Sequence, residues 1–104
     1  MALLPYENQI PFDKSLFGNH TGTSNVATGY EALHDNSNGY WNTASGMVAL
    51  KKNTSGSWNT ANGHSSLNKN TTGERNTAVG HWTLFHNVKG NCNTAVGDLA
   101  GPNS

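Results

Sequence analysis

The phrase Asn-Thr-Ala-Val-Gly occurs at 76–80 and again at 93–97. Altered copies stand at Asn42-Thr43-Ala44-Ser45-Gly46, at Asn59-Thr60-Ala61-Asn62-Gly63 and, more loosely, at Asn25-Val26-Ala27-Thr28-Gly29. Each leading asparagine follows the previous one by 17 residues (42−25, 59−42, 76−59, 93−76), with no insertion or deletion. A strict period of this size is the mark of stacked coils, each of which buries its apolar side against its neighbours. Other columns keep the same step. Leu16, Leu33, Leu50, Leu67 and Leu84 form one, and Asn19, Asn36, Asn53, Asn70 and Asn87 another. Glycine fills two more, Gly22 to Gly90 and Gly29 to Gly97. A small residue (Ala32, Ala49, Ser66, Thr83, Ala100) stands just before the leucine position.

The chemistry of this unit predicts an all-β fold, a parallel β-solenoid or β-helix of 17-residue coils. Asn-Thr-Ala-x alternates over a strand-length piece, with Ala pointing in and Thr pointing out. The two glycine columns are expected where the chain turns or needs positive φ. No segment carries apolar residues at helical spacing for long enough to make a helix, and helical repeats are generally about twice as long. Coils ~4.8 Å apart bring like residues into ladders. The inward column Asn42, Asn59, Asn76 and Asn93 is expected to satisfy itself amide to amide. Leu33, Leu50, Leu67 and Leu84 are expected to fill a thin core with the alanines. One leucine and one alanine per coil is little burial against the entropy of ordering a whole coil. Chains are therefore expected to pack side by side, as a homotrimer. Residues 1–12 carry Leu3, Leu4, Tyr6, Ile10 and Phe12 with helix-breaking Pro5 and Pro11, and read as a cap or attachment segment. Residues 13–104 read as the solenoid domain.

Six Lys+Arg balance six Asp+Glu, so no charge field draws the chain to nucleic acid or acidic lipid. Disorder pairs low hydrophobicity with high net charge, and a flexible linker has no reason to hold a register. The single Cys92 excludes an internal disulfide and a Cys-based zinc site. The opening Met1–Glu7 has neither the basic start nor the apolar run of a signal peptide, and no stretch is long enough to span a membrane. The expectation is a virion or extracellular protein, released without a standard secretion signal or separated from its leader.

Nothing in the sequence points to catalysis or to a cofactor. The carboxylates are scattered over variable positions, no Ser/His/Asp set shares a plausible pocket, and the glycine spacing belongs to the coil. His64 and His81 share a repeat position and should stack ~4.8 Å apart. Rings of imidazoles in a trimer would suit a metal. The rest of that column (Tyr30, Met47, Asp98) is not a ligand set, so no metal is expected. Tyr40, Trp41 and Trp58 gather at the variable end of the coil, and Trp82 follows the phrase at 76–80. Such residues either bury at a chain–chain interface, the preferred reading, or offer flat faces to cell-surface glycans. The outward column Thr43, Thr60, Thr77 and Thr94 raises ice binding as an alternative. Its companion column (Thr28, Ser45, Asn62, Val79, Val96) is mixed, whereas ice-binding solenoids usually pair their threonines. Sequons stand at Asn19, Asn53 and Asn70. They would matter only in a glycosylating secretory pathway.

The phrase NTAxGxxAL-xx-NTxGxx, clearest at 42–58, resembles the repeats of bacterial and phage fibre proteins often found upstream of endosialidase-type chaperone domains. It is more loosely similar to the head repeats of trimeric autotransporter adhesins, which form left-handed parallel β-rolls in a trimer. The resemblance covers residues 25–97 well and 8–24 weakly. It implies a trimeric structural fibre or adhesin-type module of a tail fibre or extracellular filament, with head-to-tail polymerisation as a further expectation. Such repeats are structural and name no ligand. These 104 residues are far fewer than in those proteins, and neither a membrane anchor nor a chaperone domain is expected within them. Function is then expected at the variable positions, chiefly Tyr40, Trp41, Trp58, His64, His81 and Trp82.

Overall fold

The structure is a computed structural model and describes residues 14–101. The cap expected at 1–12 lies outside the described residues. Each repeat phrase supplies one strand: β1 is Val26–Thr28, β2 Thr43–Ser45, β3 Thr60–Asn62, β4 Thr77–Val79 and β5 Thr94–Val96. The strands pair in parallel in the order β1-β2-β3-β4-β5. Their register sets Ala27 beside Ala44, Ala44 beside Ala61, Ala61 beside Ala78 and Ala78 beside Ala95. The fold is therefore the all-β parallel solenoid that the period predicts, and no described residue is helical. Ala27, Ala44, Ala61 and Ala78 are wholly buried, while Thr43, Thr60 and Thr94 face outward. Alternation along a pleated strand accounts for this.

Only three residues per coil form strand. Much of the rest is a run of tight turns. In one coil Ala32 N donates to Gly29 O at 3.1 Å, His34 N to Glu31 O at 3.2 Å and Asn36 N to Leu33 O at 3.2 Å. Positive φ recurs at alternate residues of this run: Gly29 at 119°, Glu31 at 57° and Leu33 at 51°. A further corner just before each phrase holds Ser24, Trp41, Trp58, Arg75 and Cys92, all with φ between 56° and 60°. Sixteen described non-glycine residues thus adopt positive φ, each at a cost of roughly 1–2 kcal/mol. They persist because neighbouring coils over-determine them. Leu33 N donates to Ala49 O at 3.0 Å, Leu50 N to Ser66 O at 3.0 Å and Trp58 N to Tyr40 O at 3.1 Å. The left-handed corners are held by the stack, and an isolated coil would have nothing to hold them.

This revises the role expected of glycine. Gly29, Gly46, Gly63, Gly80 and Gly97 do have positive φ, between 119° and 132°. Gly22, Gly39, Gly56, Gly73 and Gly90 do not. A Cβ on Gly39 would stand 2.6 Å from Asn36 Oδ1 and overlap Gly56 O. The second column is glycine for want of space, not for freedom of φ.

Two asparagine columns crowd those glycines. Leu33, Leu50 and Leu67 are fully buried, and so are Asn36, Asn53, Asn70, Asn42, Asn59 and Asn76. In the first asparagine column the amides bond directly to one another: Asn36 Nδ2 to Asn19 Oδ1 at 2.7 Å, Asn53 Nδ2 to Asn36 Oδ1 at 2.8 Å and Asn70 Nδ2 to Asn53 Oδ1 at 2.9 Å. The column Asn42, Asn59, Asn76 and Asn93, expected to do this, works differently. Its Oδ1 accepts the backbone N–H of the next asparagine: Asn42 Oδ1 from Asn59 N and Asn59 Oδ1 from Asn76 N, both at 3.0 Å. Its Nδ2 crosses to a glycine carbonyl, Asn42 to Gly56 O and Asn59 to Gly73 O at 2.8 Å. Direct amide pairs are added only at 3.1 Å, Asn59 to Asn42 and Asn76 to Asn59. Both columns satisfy buried polar groups that a coil this narrow cannot avoid burying.

Candidate binding surface

The corner preceding each strand carries the first aromatic group. Tyr40 meets Trp58 edge-on with ring centroids 4.9 Å apart, and it meets Trp41 edge-on at 5.7 Å. Trp41 and Trp58, one coil apart in the same column, are tilted by 50° at 5.7 Å. The next member of that column, Arg75, lays its guanidinium over Trp58, 4.5 Å from the ring centre. Glu74 Oε1 sits 3.7 Å from Arg75 Nη1. These edge-to-face and cation–π contacts fix the rings at set angles. Trp41 remains 55% exposed and Tyr40 39%, so the group presents aromatic surface while Trp58 is partly covered.

The second group follows the strand. His64 and His81 stack with centroids 5.3 Å apart and planes within 10°. His81 Nδ1 lies 2.8 Å from Asp98 Oδ1, the next residue in that column. Trp82 stacks on Phe85 at 4.2 Å, and Lys69 Nζ lies 5.4 Å from the Phe85 ring. Both Trp82 and Phe85 are half-buried. Among the described residues no group of three or more His, Cys, Asp or Glu side chains is placed to hold a metal ion. The six surface residues expected from sequence therefore divide in two: Tyr40, Trp41 and Trp58 on one side of the strand, His64, His81 and Trp82 on the other.

All three tryptophans occupy left-handed corners, Trp41 at φ 56°, Trp58 at 59° and Trp82 at 58°. Bulky residues are uncommon there, and column membership does not reveal backbone conformation. Arg75 and Glu74 were also missed as partners of the aromatic group. A signal was present, since Trp41, Trp58 and Arg75 are successive terms of the 17-residue step.

The outward sheet face lies between the two groups. Its threonine column is regular, but its companion column passes from Thr28, Ser45 and Asn62 to Val79 and Val96, with Val96 70% exposed. The sequons are closed off. Asn53 and Asn70 are fully buried with their Nδ2 groups bonded to Asn36 and Asn53, and Asn19 donates its own to Gly22 O at 2.9 Å. No cavity lies among the described residues, nor any helix long and apolar enough to cross a membrane. No family model, curated protein or solved structure matches the chain.

Proposed function

We propose that this chain is a non-enzymatic structural module of a virion tail fibre or extracellular filament, adhesin-like in kind, working as a homotrimer whose rods also stack end to end. The observation that carries the reading is the unbroken register. Backbone pairing, the leucine column and both asparagine columns run from coil to coil with no insertion. Such a stack supplies length and stiffness, and its stability rises with every neighbour added. The last described coil leaves one such position open. Asn93 is exposed there, whereas Asn76, at the same repeat position one coil earlier, is fully buried. A further coil laid on β5 would engage the Asn93 side chain as interior coils engage Asn42, Asn59 and Asn76. Sedimentation analysis with electron microscopy of the purified chain tests this: trimers or filaments are expected, and a stable monomer at all concentrations refutes it.

Ice binding is a second reading, and the outward threonine column favours it. The valines of the companion column weigh against a paired hydroxyl array. Absence of both thermal hysteresis and recrystallisation inhibition would end it.

A further inference from the structure

We infer that the corner built by Tyr40, Trp41, Trp58, Glu74 and Arg75 is a binding platform for a neutral saccharide, one that lays a pyranose face on Trp41. The inference adds a ligand to the fibre reading, and its test does not depend on oligomeric state.

Three observations carry it. The first is the choice of side chain at an exposed corner. Trp41 and Trp58 hold φ of 56° and 59°, where glycine or asparagine would sit at lower cost. The same column accepts Ser24 and Cys92 in the same conformation, so coil geometry does not demand an indole. The conformation belongs to the coil, but the choice of an exposed indole at this corner does not.

The second observation is the extent of the patch. A lateral interface between rods must continue from coil to coil, and a stable one buries roughly 800 Å² on each partner. Here the aromatic character spans two coils only. Above and below, the column becomes Ser24 and then Arg75, with Thr23 and Glu74 beside them. A patch two coils high suits a ligand of one or two rings better than a second rod. The small Ser24 side chain in the preceding coil leaves Trp41 more than half exposed, while Arg75 covers Trp58. Trp41 is the open face.

The third observation is the charge at the rim. Glu74 and Arg75 sit together with their charges 3.7 Å apart, so the rim is neutral overall. It nevertheless offers carboxylate acceptors and guanidinium donors. Sugar hydroxyls both donate and accept, and adjacent hydroxyls suit such a pair. The C–H bonds on a pyranose face carry slight positive charge and meet the negative face of the indole. An acidic saccharide would gain from Arg75 but meet repulsion from Glu74, so the pair selects for neutral sugars.

The test is titration of the whole chain with cellohexaose, maltohexaose, chitohexaose and mannohexaose, and with a hyaluronan hexasaccharide as the acidic comparison. Tryptophan fluorescence and calorimetry are the readouts. Saturable binding of at least one neutral probe is expected, with hyaluronan weaker. Trp41→Ala should weaken that binding by about tenfold or more, and Phe17→Ala, at an exposed aromatic outside both groups, should leave it within about twofold. Circular dichroism confirms that both variants keep the fold, as an exposed side chain should allow. The inference is overturned if no neutral probe binds at about 10 mM, if hyaluronan binds more tightly than every neutral probe, or if Trp41→Ala binds as the parent does. It is also overturned if Trp41→Ala lowers the assembled mass, which would make the corner an interface between copies. A monomer that binds sugar would refute the fibre and leave this inference standing, and a fibre that binds none would do the reverse.

Discussion

Replacing Asn59 with alanine tests the stacking account at its most constrained point. Asn59 Oδ1 accepts the Asn76 backbone N–H at 3.0 Å, and its Nδ2 donates to Gly73 O at 2.8 Å and to Asn42 Oδ1 at 3.1 Å. Alanine leaves the Asn76 N–H buried without its acceptor, which costs about 1–3 kcal/mol. Gly73 O keeps its other bond, from Asn70 Nδ2 at 3.0 Å, so that loss is smaller, about 0.5–1 kcal/mol. The sum is about 3 kcal/mol for one side chain in the middle of the stack. Asn93 occupies the same repeat position but is exposed in the last coil, where its Nδ2 makes a long bond to Asn87 Oδ1 at 3.3 Å. Asn93→Ala should therefore cost less than about 1 kcal/mol. Urea unfolding followed by circular dichroism measures both, provided parent and variants share one slope. Equal losses from the two substitutions, or a loss below about 1 kcal/mol for Asn59→Ala, would refute the argument that the asparagines matter through their neighbours.

Three further outcomes follow from the same geometry. Gly39→Ala should destabilise by more than about 2 kcal/mol, although its φ is not positive, because the new Cβ meets Asn36 Oδ1 at 2.6 Å and the Gly56 carbonyl; thermal unfolding at fixed protein concentration reads it. Cys92→Gly should stabilise by about 0.5–1 kcal/mol by relieving an exposed residue at φ 60°, with reducing agent present in both samples. Expression in a glycosylating host should leave Asn53 and Asn70 unmodified once folded, since their amides are buried within the ladder. Intact-mass measurement of the folded protein decides that.

Much of the architecture was legible because it depends on which residues share a column. The step between asparagines sets register, and register sets the neighbours of Ala44, Leu50 and Asn53. The pairing of Trp58 with Arg75 follows from the same step. Backbone conformation at the corners was not legible. Leu33, Val48 and Trp58 are residue types that avoid positive φ when judged one at a time. Nor did the sequence distinguish its two asparagine columns, which bond in different ways despite equal spacing.

From the sequence alone came a parallel stack of 17-residue coils, with alanine and leucine inside and threonine outside, because a fixed period leaves one way for like positions to meet. Only the tertiary structure decided how each coil turns. Left-handed corners at leucine and tryptophan are unfavourable locally and form because backbone bonds to adjacent coils outweigh that cost. Those bonds exist only once the coils are stacked.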